Sequence, residues 1–270
     1  MGADLTPPRK DKAQLKRVTE LYEAALVEKA NTAGGRRVRV LDAGVEAPIG
    51  AAPDAGHTAT ASCQRPKNVP CAGAYDAAHS TLCEAACLVL DTETSSLWGC
   101  VLDIGWVLAN ANGKEFTSYT KLWSLPLHER IHPRAFNAHR ISESRLCSEG
   151  VDPRLELGEL FALIASAMAA GVLVVAHNAA FDVGRLNHTA VKHKLKLPPL
   201  LSAYMLCTMH KSAKHCGLRK KGNKALKAPS NEELFQHFFK RKPAGQLHRA
   251  LPDCRVTLAC FVQGRKQLWW

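Results

Sequence analysis

The chain has 270 residues, 46% of them hydrophobic, which suffices for one sizeable core with an extension or for two small ones. No run approaches the roughly 18–20 apolar residues of a membrane span, the N-terminus lacks a secretory pattern, and Asp4, Asp11, Glu20 and Glu23 weigh against an acid-poor transit peptide. The net charge of +12 is uneven: residues 1–86 carry 11 Lys and Arg against 10 Asp and Glu (+1), and residues 87–270 carry 25 against 14 (+11), so the second part suits a polyanionic partner.

"MGADLT" fits the myristoylation pattern formally, but Pro7 and Pro8 follow it. Residues 11–30 predict one helix, with Leu15, Val18, Leu21, Tyr22, Ala25 and Leu26 at helical spacing. Residues 31–81, rich in Ala, Gly, Pro and Asp without a sustained period, read as a largely flexible linker. The division expected is an N-terminal extension, 1–85, and a second domain, 86–270. The ten cysteines include no C-x-x-C pair. They read as reduced thiols of an intracellular protein, with a zinc site from His57, Cys63, Cys71, His79, Cys83 and Cys87 as a weaker alternative.

From residue 87 the pattern tightens. Residues 87–91 predict a strand, 101–109 a second, and 115–122 a third after the Asn112-Gly113 turn. Asp152 and Pro153 open a helix that Gly171 ends. "VLVVA", 172–176, is a short strand of the buried type, and a helix begins near 180. Ser230 and Glu233 form a capping box before "NEELFQHFF", and a last helix runs from about Pro252 to Gln263. Strands first, then alternating helices and a further strand, predict an α/β domain: a mixed sheet flanked by helices on both faces.

"CLVLDTETSS" (87–96) ends its apolar run with Asp91 and Glu93, two residues apart and so on one face of an extended chain. Two adjacent like charges at a strand end are costly unless a cation sits between them. Further acids stand at element edges: Asp182 in "VVAHNAAFDVGRL" (174–186), in the first turn of a helix, and Asp253 in "HRALPDCRVT" (248–257), five residues after His248. Each alone reads as an ordinary helix-start acid.

Together, in this order, they resemble the DEDD exonucleases of the histidine-bearing branch, which includes the proofreading subunit of bacterial DNA polymerase III. The three motifs are Asp91-Thr92-Glu93-Thr94, His177 to Asp182, and His248 to Asp253. "VLDIGWV" and "AHRISES" (138–144) match between them, with Arg140 and Ser96 where the family usually has Gly. The resemblance covers about residues 86–264. It implies a ribonuclease H-like fold and two divalent cations, Mg²⁺ or Mn²⁺, held by Asp91, Glu93, Asp182 and Asp253. It implies that His248 acts as general base on the attacking water and that nucleoside 5′-monophosphates leave from a 3′ end. Leu97 would wedge against the terminal base, and Thr94, His139, Asn178 and Phe181 would line the nucleotide pocket. An ordinary imidazole titrating near pH 6.5 suits the base's role, and hard cations want oxygen ligands.

The segment 210–227, "HKSAKHCGLRKKGNKALK", has seven Lys and Arg and no acid, which predicts phosphate tracking by Lys220 and Lys221. Three functions stay open: an exonuclease on single-stranded DNA 3′ ends, favoured by closeness to the proofreading branch; an exonuclease on RNA; and a silent nucleic-acid-binding or polymerase-docking module. The extension is the candidate contact for a DNA polymerase or another protein.

Overall fold

In a computed structural model of the chain, the residues described are 72–222, 224–245 and 247–270. The helix expected at 11–30, the myristoylation pattern, and His57, Cys63 and Cys71 lie outside them. A five-stranded sheet in the order β3-β2-β1-β4-β5 organises the domain. β1 (Cys87–Thr94), β2 (Val101–Ala109) and β3 (Glu115–Leu122) are successive antiparallel neighbours. β4 (Leu173–Ala176) and β5 (Leu206–Cys207) add in parallel on the other side of β1. The β2–β3 turn closes where expected, with Gly113 at φ 84° and Asn110 bonded to Lys114. β1 extends three residues beyond the predicted end at 91, so Asp91 and Glu93 lie inside a paired strand, opposite Gly105 and Asp103.

The helices are α1 (Ala72–Thr81), α2 (Pro133–His139), α3 (Glu143–Glu149), α4 (Leu157–Ala169), α5 (Ala179–Lys192), α6 (Thr208–Cys216), α7 (Asn231–Phe239) and α8 (Ala250–Lys266). The expected helix from Asp152 is split: Asp152 caps a short 3-10 turn, Pro153–Leu155, before α4. Gly171, at φ 77°, ends the helical run as expected. The capping box at Ser230 and Glu233 is formed.

α1 departs from the linker expected through residue 81. "AGAYDAAHST" has almost no apolar period, and its largest anchor is Tyr75, 1% exposed, which packs 5.5 Å from the Trp106 ring and 5.3 Å from the Tyr119 ring, with Ala78 buried in the same core. The domain's core therefore begins before residue 86.

Strand alternation divides β1 between two cores. Leu88 and Leu90 face the larger one, with Trp106, α4 and α5. Cys87 and Val89 face α8, through Cys254, Leu258, Phe261 and Val262. Seven of the described cysteines, Cys83, Cys87, Cys100, Cys207, Cys216, Cys254 and Cys260, are free thiols. Burial pushes the Cys87 thiol up to about 12, as befits a thiol packed in the core. Among the described residues no helix is long and apolar enough to cross a membrane.

Candidate active site

The α8-facing side of β1 reads Cys87, Val89, Asp91, Glu93, and the β2 residues opposite are Ala109, Val107, Gly105 and Asp103. The face is apolar under the body of α8 and turns acidic under its N-terminus. Gly105 sits at the change: a Cβ there would lie 2.6 Å from the Ala250 carbonyl carbon and the Leu251 nitrogen. Only a glycine lets the start of α8 descend onto the sheet, and this brings His248 and Asp253 to Asp91 and Glu93. The N-terminal end of a helix also favours the negative charge gathered there.

Asp253, in the first turn of α8, folds the approaching chain back on itself. Its Oδ2 accepts from the His248 N–H at 2.7 Å and the Arg249 N–H at 3.2 Å. His248 takes a left-handed backbone, φ 62°, and its residue is exposed. Glu93, His248 and Asp253 offer ligand atoms within 4.8 Å of one another. Asp182 enters from the first turn of α5, just after parallel β4. It is 3% exposed and accepts from the Thr92 hydroxyl at 2.8 Å.

The carboxylates raise one another's affinity for protons. Asp91 is pushed well above the usual carboxylate range, first by burial and then by Asp182, Asp253, Glu93 and Asp103. Glu93 is pushed up to about 8, by burial and then Asp253 and Asp103, and burial raises Asp182 to about 7. Asp253 also rises through burial, against the pull of the His248 and Arg249 amides. Among the described residues none of these four forms an ion pair with Lys or Arg. A set of oxygen donors with charge left uncompensated fits a hard divalent cation.

The remaining expected residues are placed as follows. Leu97 and Phe181 come together in a shallow groove with Trp98, Ala180, Gly184 and Arg185. The loop carrying Leu97, 73% exposed, is pinned by Glu129, which accepts from the Ser95 hydroxyl and from the Cys100 N–H at 2.6 Å. Trp98, 78% exposed with the Arg185 guanidinium 5.5 Å from its ring centre, was not singled out from sequence. Thr94 is buried and donates to the Ser96 carbonyl at 2.8 Å. His139 is 2% exposed, and its Nδ1 accepts from the Ile141 N–H at 3.0 Å. Asn178 precedes α5 and its carbonyl accepts from the Phe181 N–H at 2.8 Å. Arg140, at a usual Gly position, adopts the left-handed conformation with φ 58°.

Lys220 and Lys221 are exposed on a small hairpin closed by the Arg219–Leu226 bridge. His177 clips both ends of the basic segment: its Nδ1 meets the Thr208 hydroxyl and its Nε2 the Pro229 carbonyl, each at 3.0 Å. Burial lowers its pKa to about 4.

Sequence reasoning missed Asp103 and Arg249. Asp103, fully buried on β2, accepts from Arg249 Nε at 2.7 Å and from the Ala250 N–H at 3.3 Å. "VLDIGWV" carried the signal, an acid inside an otherwise apolar strand.

A mixed five-stranded sheet flanked by helices, with acids gathered toward the C-terminal end of its central strand, defines a ribonuclease H-like nuclease fold. The exonuclease family model (RNase_T) matches residues 88–261, and the chain belongs to that family. Among solved structures, a complex of a 3′-exonuclease described by its 3′-end-specific recognition of a histone mRNA stem-loop superposes with a TM-score of 0.53 at 11% identity, covering 67% of this chain and 81% of that one. S. pombe Pop2p in its Mg²⁺- and Mn²⁺-bound form gives 0.52 at 13%, covering 72% and 88%. Exonuclease X with 5′-overhanging duplex DNA is 24% identical, covering 68% and 93%, with a TM-score of 0.44. No curated protein matches the sequence.

Proposed function

We propose that the protein is a metal-dependent 3′–5′ exonuclease that removes nucleoside 5′-monophosphates from single-stranded 3′ ends, DNA being the preferred strand. The observation that carries this reading is that Asp91, Glu93, Asp182 and Asp253, from three separate elements, lie close enough for the other three to raise the proton affinity of Asp91, with His248 in ligand reach of Glu93 and Asp253. A module that only binds nucleic acid has no use for four mutually repelling carboxylates with a histidine beside them. Membership in the exonuclease family supports hydrolysis, and the DNA preference rests on motif likeness to the proofreading branch.

Asp91, Glu93, Asp182 and Asp253 would hold Mg²⁺ or Mn²⁺. When bound, a pair of such ions neutralises charge on the attacking and leaving oxygens of an in-line displacement. The chain's own residues do the rest. His248, exposed beside Glu93 and Asp253, accepts the proton of the attacking water. Thr92 holds one Asp182 oxygen, fixing the direction of the other. Leu97 and Phe181 receive the terminal base in the groove beside Trp98, and Lys220 and Lys221 hold the backbone beyond. Because the Lys pair contributes through phosphate charge, Lys220→Ala with Lys221→Ala weakens binding and flattens its dependence on salt; an unaltered salt slope would place the hairpin away from the strand.

The polarity and product are tested with a strand radiolabelled at its last internucleotide phosphate. The expected first product is the labelled nucleoside 5′-monophosphate, with a circular strand left intact. Labelled 3′-phosphates, or cleavage of the circle, would overturn the reading.

A further inference from the structure

We propose that Asp103 and Arg249 are positioning residues whose ion pair fixes the place of His248; the inference rests on the role given to His248 above. Arg249 Nε donates to Asp103 Oδ2 at 2.7 Å, and the same oxygen accepts the Ala250 N–H at 3.3 Å. The Thr120 hydroxyl approaches Oδ1 at 3.3 Å. The Asp103 side chain is 1% exposed, so the partner that neutralises it is held firmly.

The geometry explains why such an anchor is needed. His248 has φ 62°, a backbone that L side chains adopt at a cost. It is therefore stable only if the surrounding bonds over-determine it. Two sets of bonds do so. On the main chain, Asp253 Oδ2 takes the N–H groups of both His248 and Arg249. On the side chain, Arg249 is tied into the sheet beside His248, whose residue stays exposed. Without the Arg249 side chain the loop keeps only the longer Ala250 N–H bond to Asp103, at 3.3 Å, and the bonds to one Asp253 oxygen that the reading above gives to a cation.

Asp103 is also the β2 residue opposite Glu93. One strand pair thus carries both an acid of the site and the foot of the histidine's anchor, and the distance between His248 and Glu93 is set across a single rung. Arg249 has a second consequence: it compensates Asp103 and so separates this acid from the four that are left for cations.

The test combines kinetics with hydrogen exchange. Arg249→Ala is expected to lower kcat by about 10- to 10²-fold with KM little changed, the scale of misplacing a reacting group by about 1 Å. In a His248→Ala background the same change should cost nothing further, because it acts through the histidine. Guanidinium ion added to Arg249→Ala should restore part of kcat, and Arg249→Lys should retain part of it. By mass spectrometry, the amides of residues 247–253 should exchange faster in Arg249→Ala while those of β1 are unaltered. Multiplicative losses with His248→Ala, or a raised KM at constant kcat, would instead make Arg249 a substrate or phosphate contact and overturn the proposal. If Arg249→Ala does not fold, Arg249→Lys is read in the same way. If the wild type hydrolyses no strand, the exonuclease reading fails, and exchange at 247–253 still decides the anchor: unaltered exchange refutes it.

Discussion

At the scale of single residues the site depends on a methyl group that is missing. Gly105 lets backbone meet backbone where α8 starts, and the atoms a side chain would strike are main-chain atoms that cannot swing aside. Gly105→Ala is therefore expected to cost about 1–3 kcal/mol of stability. It should also cost more activity than stability accounts for, because His248 and Asp253 ride on the displaced helix. Denaturant unfolding and turnover of the same sample check this; full activity in a destabilised variant would show that α8 has room to adjust. The fold brings Glu93, His248 and Asp253 within ligand reach of one another; the four acids and His248 were candidates from sequence because each stands in a motif of fixed spacing. Asp103 and Arg249 were not, since their pairing joins residues far apart in the chain.

At the scale of elements, the order of strands and helices followed from alternation, turn residues and caps, and the boundaries that failed are informative. β1 continues through Asp91 and Glu93 because antiparallel β2 pairs with polar residues as readily as with apolar ones. α1 could not be recognised because its apolar content is mostly alanine and its largest hold on the core is one tyrosine. Tyr75→Ala should remove that hold at a cost of about 3–5 kcal/mol, the scale for large aromatic truncation in a core. An equally stable variant would make α1 a detachable part of the extension. β5, two residues long, gave no pattern to read.

At the scale of the whole molecule, the acids tie stability to pH and to divalent cations. Glu93 and Asp182 bind protons more tightly folded than unfolded, with pKa values near 8 and 7 in the fold. Between pH 6.5 and 8 the unfolded chain has already lost those protons and the folded chain has not, so the metal-free protein loses stability as pH rises. His177, with its pKa near 4, works in the opposite direction, and its contribution levels off once the unfolded imidazole, near 6.5, has lost its proton. Melting temperatures in EDTA should therefore fall from pH 6.5 to 8, and Mg²⁺ or Mn²⁺ should reduce the fall, since a cation binds the ionised acids of the folded state. A profile that metal leaves unaltered would separate the acids from any cation. The central claim, that these acids and His248 hydrolyse nucleic acid from its 3′ end, is tested most directly by a degradation time course. Strands of DNA and RNA labelled at the 5′ end would be run side by side with Mg²⁺, with EDTA and with Asp91→Ala. The account predicts a ladder shortening from the 3′ end, faster on DNA, absent in EDTA and in the variant. Intact strands in every lane, with binding still measurable, would contradict it and leave a silent nucleic-acid-binding module.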